Sequence, residues 1–308
     1  MKALAALGAA LAVSAAGAAA PHAPTIGGCP VFPASSPWNQ RVDTLPVAAN
    51  SAALIASIGL DSHVHADFGS GLYDGSRIGI PYVVVHGTTT PKSRVTFAYA
   101  DESDKGPYPI PANVPIEGQP AATDGDRHAL IVDRDSCKLY ELYALHRQGS
   151  RWSAGSGAIW NLRSNALRPA GWTSADAAGL PILPGLARWD GDASTGAIDH
   201  ALRFTASRTR RAYVYPARHY ASSDTDPSLP PMGLRVRLKA SVDISKLPPQ
   251  ARVVATAMKR YGMILADNGS PWYVSGAPSP RWSNDQLHAL GQLTGADFEV
   301  VDTSKLRP

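Results

Sequence analysis

Asp126-Arg127-His128-Ala129-Leu130-Ile131-Val132-Asp133, then Arg134-Asp135-Ser136-Cys137, then Lys138-Leu139-Tyr140-Glu141-Leu142-Tyr143-Ala144-Leu145, is the stretch that decides how the chain is read. Two β-rich runs flank a four-residue loop, which predicts a β-hairpin. Pairing Asp133 with Lys138 fixes the register through the two-residue period of a strand. Leu130 then opposes Glu141, His128 opposes Tyr143, and Asp126 opposes Leu145. One face carries Asp126, His128, Glu141 and Tyr143 among Leu130, Val132 and Leu139. The other carries Ala129, Ile131, Tyr140 and Leu142 and reads as a core face. A face of leucines mixed with acids, His and Tyr suits the floor of a cleft.

Working outward, the 308 residues suffice for one large domain or two small ones. Charged residues are only 18%, while Gly (27) and Pro (26) are plentiful, which favours a turn-rich β protein over helices or disorder. The net charge of +4 comes without a basic run interleaved with aromatics, so no nucleic-acid partner is expected. Arg208-Thr209-Arg210-Arg211 is the densest basic spot and reads as a solvated turn.

Residues 1–20 read as a secretory signal peptide. Lys2 supplies the positive start, Ala3 to Ala16 an apolar run too short to span a bilayer, and Ala16-Gly17-Ala18 a cleavage site. No later run is long and apolar enough for a membrane span, so a secreted or periplasmic protein is expected. The two cysteines, Cys29 and Cys137, should then pair in an oxidising compartment. Ile26-Gly27-Gly28-Cys29 matches a lipoprotein acylation site poorly.

Downstream, a short helix is expected over 50–58. His63, His65 and Asp67 alternate on an extended segment, with too few acids for a metal site. Asp101-Glu102-Ser103-Asp104 follows a strand and precedes the proline-fixed rim Gly106-Pro107-Tyr108-Pro109-Ile110-Pro111. Trp152 to Leu162 reads as one strand with a bulge near Gly155 and Gly157. No Gly-x-Ser-x-Gly nucleophile elbow occurs. His200 lies on the apolar side of an expected strand over 199–204 and reads as a satisfied core histidine. Arg211–Tyr215 reads as a strand. Leu234 to Lys239 alternates apolar-in and basic-out. A helix is expected over 250–261, and Asn268-Gly269 signals a hairpin returning through Trp272-Tyr273-Val274.

At Gly106-Pro107-Tyr108-Pro109-Ile110-Pro111, Asp126-Arg127-His128, Lys138 to Tyr143, Asn165-Ala166-Leu167-Arg168-Pro169-Ala170-Gly171-Trp172 and Tyr261-Gly262-Met263-Ile264-Leu265-Ala266-Asp267-Asn268-Gly269, the chain resembles a group of secreted bacterial proteins. The resemblance runs over nearly the whole mature chain. It implies no activity, cofactor or catalytic residue, so the functional argument rests on the residues themselves.

About ten short strands and a few short helices argue against alternating βαβ units. The expectation is a single β-rich domain over 25–308, mainly antiparallel, as a jelly-roll-like β-sandwich or related barrel. Seven Trp and eleven Tyr, several in loops near acids, suggest sugar stacking on an exported scaffold that is expected to be a monomer. The functional expectation is a carbohydrate-active glycoside hydrolase, acting on a poly- or oligosaccharide with a carboxylate pair in an aromatic-lined cleft. Glu141, facing Leu130, is the general-acid candidate. Asp126, Asp67 or Asp267 is the second carboxylate, with His128 and Tyr143 beside them. His65, Tyr108, Arg168, Trp172 and His219 are the substrate-binding candidates. No cofactor and no metal are expected, although the rim acids could hold a calcium ion. The alternatives are a polysaccharide lyase, with Tyr143 or His128 as base on an acidic polymer, and a non-catalytic glycan-binding or envelope protein.

Overall fold

A computed structural model describes residues 23–306; the expected signal peptide lies outside the described residues. Strands hold 27% of the chain and helices 14%, so the fold is mainly β. Ten strands build the two sheets that matter for the site: β1 (His65–Asp67), β2 (Tyr82–Val85), β3 (Ala129–Asp133), β4 (Lys138–Tyr143), β5 (Ser156–Asn161), β6 (Leu202–Ala206), β7 (Arg235–Leu238), β8 (Met263–Asn268), β9 (Tyr273–Ser275) and β10 (Phe298–Val300). The first sheet has the order β5-β4-β3-β2 and the second β10-β7-β8-β6-β9-β1. The helices are α1 (Ser51–Ile58), α2 (Pro249–Arg260) and α3 (Asn284–His288).

The hairpin forms in the expected register, with Asp133 against Lys138 and Leu130 against Glu141. Its surroundings differ from the expectation, because both faces are buried. Leu130, Val132 and Leu139 join the core shared with the second sheet, where Leu202, Phe204, Val236, Met263 and Leu265 are also buried. Ala129, Ile131, Tyr140 and Leu142 pack on Tyr108, Ile110, Val114 and Trp152. Burying a leucine side chain of this kind contributes roughly 1.5–3 kcal/mol, so the hairpin is held from both sides.

The sheets are not purely antiparallel. β3 runs parallel to β2, β6 to β8, and β9 to β1, and among the described residues no closed barrel forms. The Asn268-Gly269 turn does not fold β9 back onto β8. β9 crosses instead to pair with β6 through Phe204 and Val274, because both edges of β8 are already taken by β6 and β7. Arg211–Tyr215 is not a strand; it makes one bridge, from Tyr213 to Met232. The run from Trp152 to Leu162 breaks at Gly155, where a Cβ would stand 2.5 Å from the Tyr143 ring. Its first half, Arg151–Ala154, pairs with His146–Gln148 and Val95–Phe97 instead. In β7 the basic-out pattern fails at Arg235, which is 3% exposed. Its guanidinium is drawn inward to donate to the carbonyls of Tyr261, Pro37 and Gln40.

Cys29 and Cys137 form a disulfide with a Cα–Cα distance of 5.4 Å. It clamps the N-terminal arm to the tip of the β3–β4 hairpin.

Candidate functional site

Where the two sheets meet, a cleft of about 440 Å³ opens. Its walls come from distant parts of the chain. Asp126 and His128 lead into β3, Tyr143 ends β4, Ser156 begins β5, and Asp267 closes β8. Residues 173–177, His219, Ala221, Asn268, Tyr99 and Glu102 complete the lining.

His128 anchors one wall. Its Nδ1 lies 2.5 Å from Glu117 Oε2 and its Nε2 2.9 Å from the Ala175 carbonyl. The backbones reinforce the pair, since the Glu117 N–H donates to the His128 carbonyl at 2.9 Å. Burial alone would lower the His128 pKa, but the Glu117 carboxylate outweighs it and holds the ring at about 9. At neutral pH His128 is therefore an imidazolium with both N–H groups committed. Glu117, Asp126 and His128 bring their ligand atoms within 4.8 Å of one another. With neither ring nitrogen offering a lone pair, this set works as an ion pair beside an exposed acid.

Behind two further lining residues, Asp176 and Asp267, stands Arg203, 4% exposed in β6. Its Nη2 stands 3.1 Å from Asp176 Oδ1 and 3.8 Å from Asp267 Oδ2, and its Nη1 donates to Ser275 Oγ at 2.6 Å. Asp176 is fully buried and its Oδ2 has no hydrogen-bond partner among the described residues. Two carboxyls thus share one guanidinium. Burial and the neighbouring Asp176 push Asp267 up to about 7 against the pull of Arg203. Asp176 is also raised, by burial, against the same Arg203. The Asp267 side chain remains 26% exposed and lines the cleft. Tyr143 also lines the cleft. Its hydroxyl is held above the usual tyrosine range by burial, then by the charges of Asp126, Tyr99 and Asp267.

Glu141 is not in the cleft. It shares the hairpin face with His128 and Tyr143, but residues 180–187 roof this part of the sheet, with Leu180, Ile182, Leu183 and Leu186 all buried. Both oxygens accept from protein N–H groups: Ile182 N at 2.9 Å and Leu183 N at 2.9 Å on Oε1, and Trp160 Nε1 at 3.1 Å on Oε2. Burial still lifts its pKa to about 7 against these donors. Glu141 therefore fastens the 180–187 roof to β4 and lies outside the cleft lining.

The remaining candidates scatter. His219 lines the cleft and its Nδ1–H donates to the Ala177 carbonyl. Tyr108 is 0% exposed, packed edge-on against Phe97 and Tyr140 with its hydroxyl on the Asp104 carbonyl, so it cannot stack on a sugar. Arg168 is a buried strut, bonded to Asp104 and to the Glu102 and Thr173 carbonyls and flanked by Trp160 and Trp172. It shapes the wall from behind, and Trp172 packs on it outside the cleft. His65 and Asp67 line a second cavity of about 670 Å³ with Tyr273 and Glu117. His200 is a core residue paired with Asp192.

Asp176, Arg203 and Glu117 are the functional residues that the sequence pattern did not single out. Arg203 carried one signal, as the lone charge within Leu202–Ala206. A guanidinium in such a strand needs buried acceptors somewhere in the fold, carbonyls as at Arg235 or an acid as here. No protein-family model matches the chain, and no curated protein or solved structure matches it either.

Proposed function

We propose that the protein is a glycoside hydrolase, with Asp267 as general acid and Asp126 as the second carboxyl of the pair. The observation that carries this reading is a carboxyl raised to about 7 and a second, exposed carboxyl lining one cleft, the pair of acids that glycoside hydrolysis uses. Asp267 delivers its proton to the glycosidic oxygen as the bond to the anomeric carbon breaks. Asp126 either removes a proton from the attacking water or bonds to that carbon before water displaces it. The cationic His128 and Tyr143 border the space where the sugar ring would lie. Asp176 and Arg203 set the poise of Asp267 from behind and are positioning residues.

The reading replaces Glu141 as acid, because a group without solvent contact cannot reach a glycosidic bond. It also ranks above a lyase. Both His128 nitrogens are committed, and a Tyr143 hydroxyl held above its ordinary range stays protonated, so neither serves as the base. A non-catalytic glycan-binding protein is the remaining alternative. The protein is proposed to act as a secreted or periplasmic monomer, a setting that the Cys29–Cys137 disulfide fits.

The test is incubation of the purified mature chain with a panel of neutral and acidic polysaccharides. Release of reducing ends, lost in Asp267→Asn, supports hydrolysis. An unsaturated, ultraviolet-absorbing product would indicate a lyase, and binding without turnover a lectin-like role.

A further inference from the structure

A third cavity, about 650 Å³, lies on the side of the β3–β4 hairpin away from the acid cleft. Arg127, Arg77, Arg147 and His146 line it, and no acidic side chain does. None of these four makes an ion pair among the described residues; the salt bridges all lie elsewhere. Arg127 is the informative member. It is 8% exposed, and its guanidinium meets only neutral partners, with Nε donating to the Leu145 carbonyl at 3.1 Å and Nη1 to the Ala122 carbonyl at 3.0 Å. A guanidinium withdrawn from water without a counter-charge is costly, and such groups are normally paired. Its backbone also sits at φ +44°, a region a non-glycine residue seldom holds. Its chain neighbours Asp126 and His128 turn to the acid cleft, so the two sites share one backbone segment and present opposite chemistry.

We infer that this cavity is a second binding site, for an acidic oligosaccharide whose carboxylate or sulfate groups supply the missing counter-charges. The arginine fork suits planar oxyanions in a two-point contact. A wall of one sign focuses the field on an anionic ligand. The volume is that of a ligand of several rings and far exceeds a single inorganic ion. Asn113 in the same wall offers an amide for sugar hydroxyls. The site does not depend on the catalytic reading, because it contributes no residue to the acid cleft.

Calorimetric titration of the full mature protein tests it, using an oligogalacturonate, a sulfated dextran oligosaccharide, a neutral cello-oligosaccharide and inorganic sulfate as probes. Saturable binding of either charged oligosaccharide, weakening as salt is raised, is expected. Arg77→Ser with Arg147→Ser, both exposed and free of structural ion pairs, should weaken it about tenfold. Arg127→Met should weaken it further, and a thermal melt checks that this variant is folded. Asp267→Asn should bind the same ligand unchanged, which separates this site from the catalytic one. Equal binding of the neutral probe, binding of inorganic sulfate alone, or an unchanged affinity in the double variant would overturn the inference.

Discussion

Glu141 and Asp267 carry carboxyl groups held at the same poise, about 7 in each case, in two different regions. Glu141 lies on the sealed floor of the hairpin, 0% exposed under the 180–187 roof. Asp267 lies at the end of β8 and faces the cleft. The first cause is the same for both, since removal from water penalises the charged form. Their neighbours differ. Glu141 meets three N–H donors, whereas Asp267 meets a second acid and a shared guanidinium. A raised carboxyl pKa is therefore not a site on its own; access and a second titrating group are what distinguish Asp267.

The largest effect should come from exchanging the acids one at a time. In Asp267→Asn, hydrolysis should fall on the order of 10²–10⁴-fold while the melting temperature moves little. Glu141→Gln, assayed in parallel, should keep its turnover and lose stability. If Glu141→Gln is inactive yet fully folded, the comparison is broken and the assignment must be reversed.

The clamp at the hairpin tip belongs to the sealed region. Replacing Cys29 and Cys137 by Ala releases a loop closed over a sequence separation of 108. In the chain-entropy model this costs up to about 4–5 kcal/mol. Denaturant unfolding should show the loss, and activity per folded molecule below the transition should persist. A loss of activity without a loss of stability would mean that the clamp positions the cleft instead.

The sealed acid should also write its own pH dependence. Its folded pKa lies above the unfolded value, so the folded protein holds the extra proton between pH 4.5 and about 7. Stability from this group is full below that window and falls by roughly 3 kcal/mol as pH rises through it. Glu141→Gln should remove this slope. It adds a constant cost of about 1–3 kcal/mol, because the new amide meets the Trp160 N–H that Oε2 accepted. The stability difference between the two proteins, measured by denaturant titration across this range, should therefore narrow as pH rises; a constant difference would show that Glu141 is already ionised in the folded state.

The register of the hairpin was legible because a two-residue period and a short loop leave few pairings. The burial of its second face was not, since the covering residues 180–187 follow some forty positions later and carry no local signal toward β4. Asp267 could be nominated as an acid closing an apolar strand. Its partners could not, because Asp176 and Arg203 meet it from a small-residue turn and a neighbouring strand. Tyr108 misled for a related reason: its proline-rich run looks like an exposed rim, yet packing between Phe97 and Tyr140 places the ring in the core. The Asn268-Gly269 turn obeyed its local chemistry and still failed as a hairpin, because sheet neighbours are chosen by the whole fold.

The smallest effect is the most specific to the open acid. Asp176 raises Asp267 by its charge and occupies part of Arg203. In Asp176→Asn the repulsion disappears, and Arg203 is left to the remaining carboxylate. Both changes favour ionised Asp267, so its pKa should move down toward the ordinary carboxylate range. A general acid works only while protonated, so the alkaline limb of the kcat–pH profile should shift toward lower pH. Turnover at the acid end of the profile should change far less than in Asp267→Asn, since the proton donor is still in place. The same profile in Glu141→Gln is the control, and its limb should stay where it is in the parent protein. If Asp176→Asn only lowers the melting temperature and leaves the limb unmoved, Asp176 is a structural partner of Arg203, and burial alone sets the poise of Asp267.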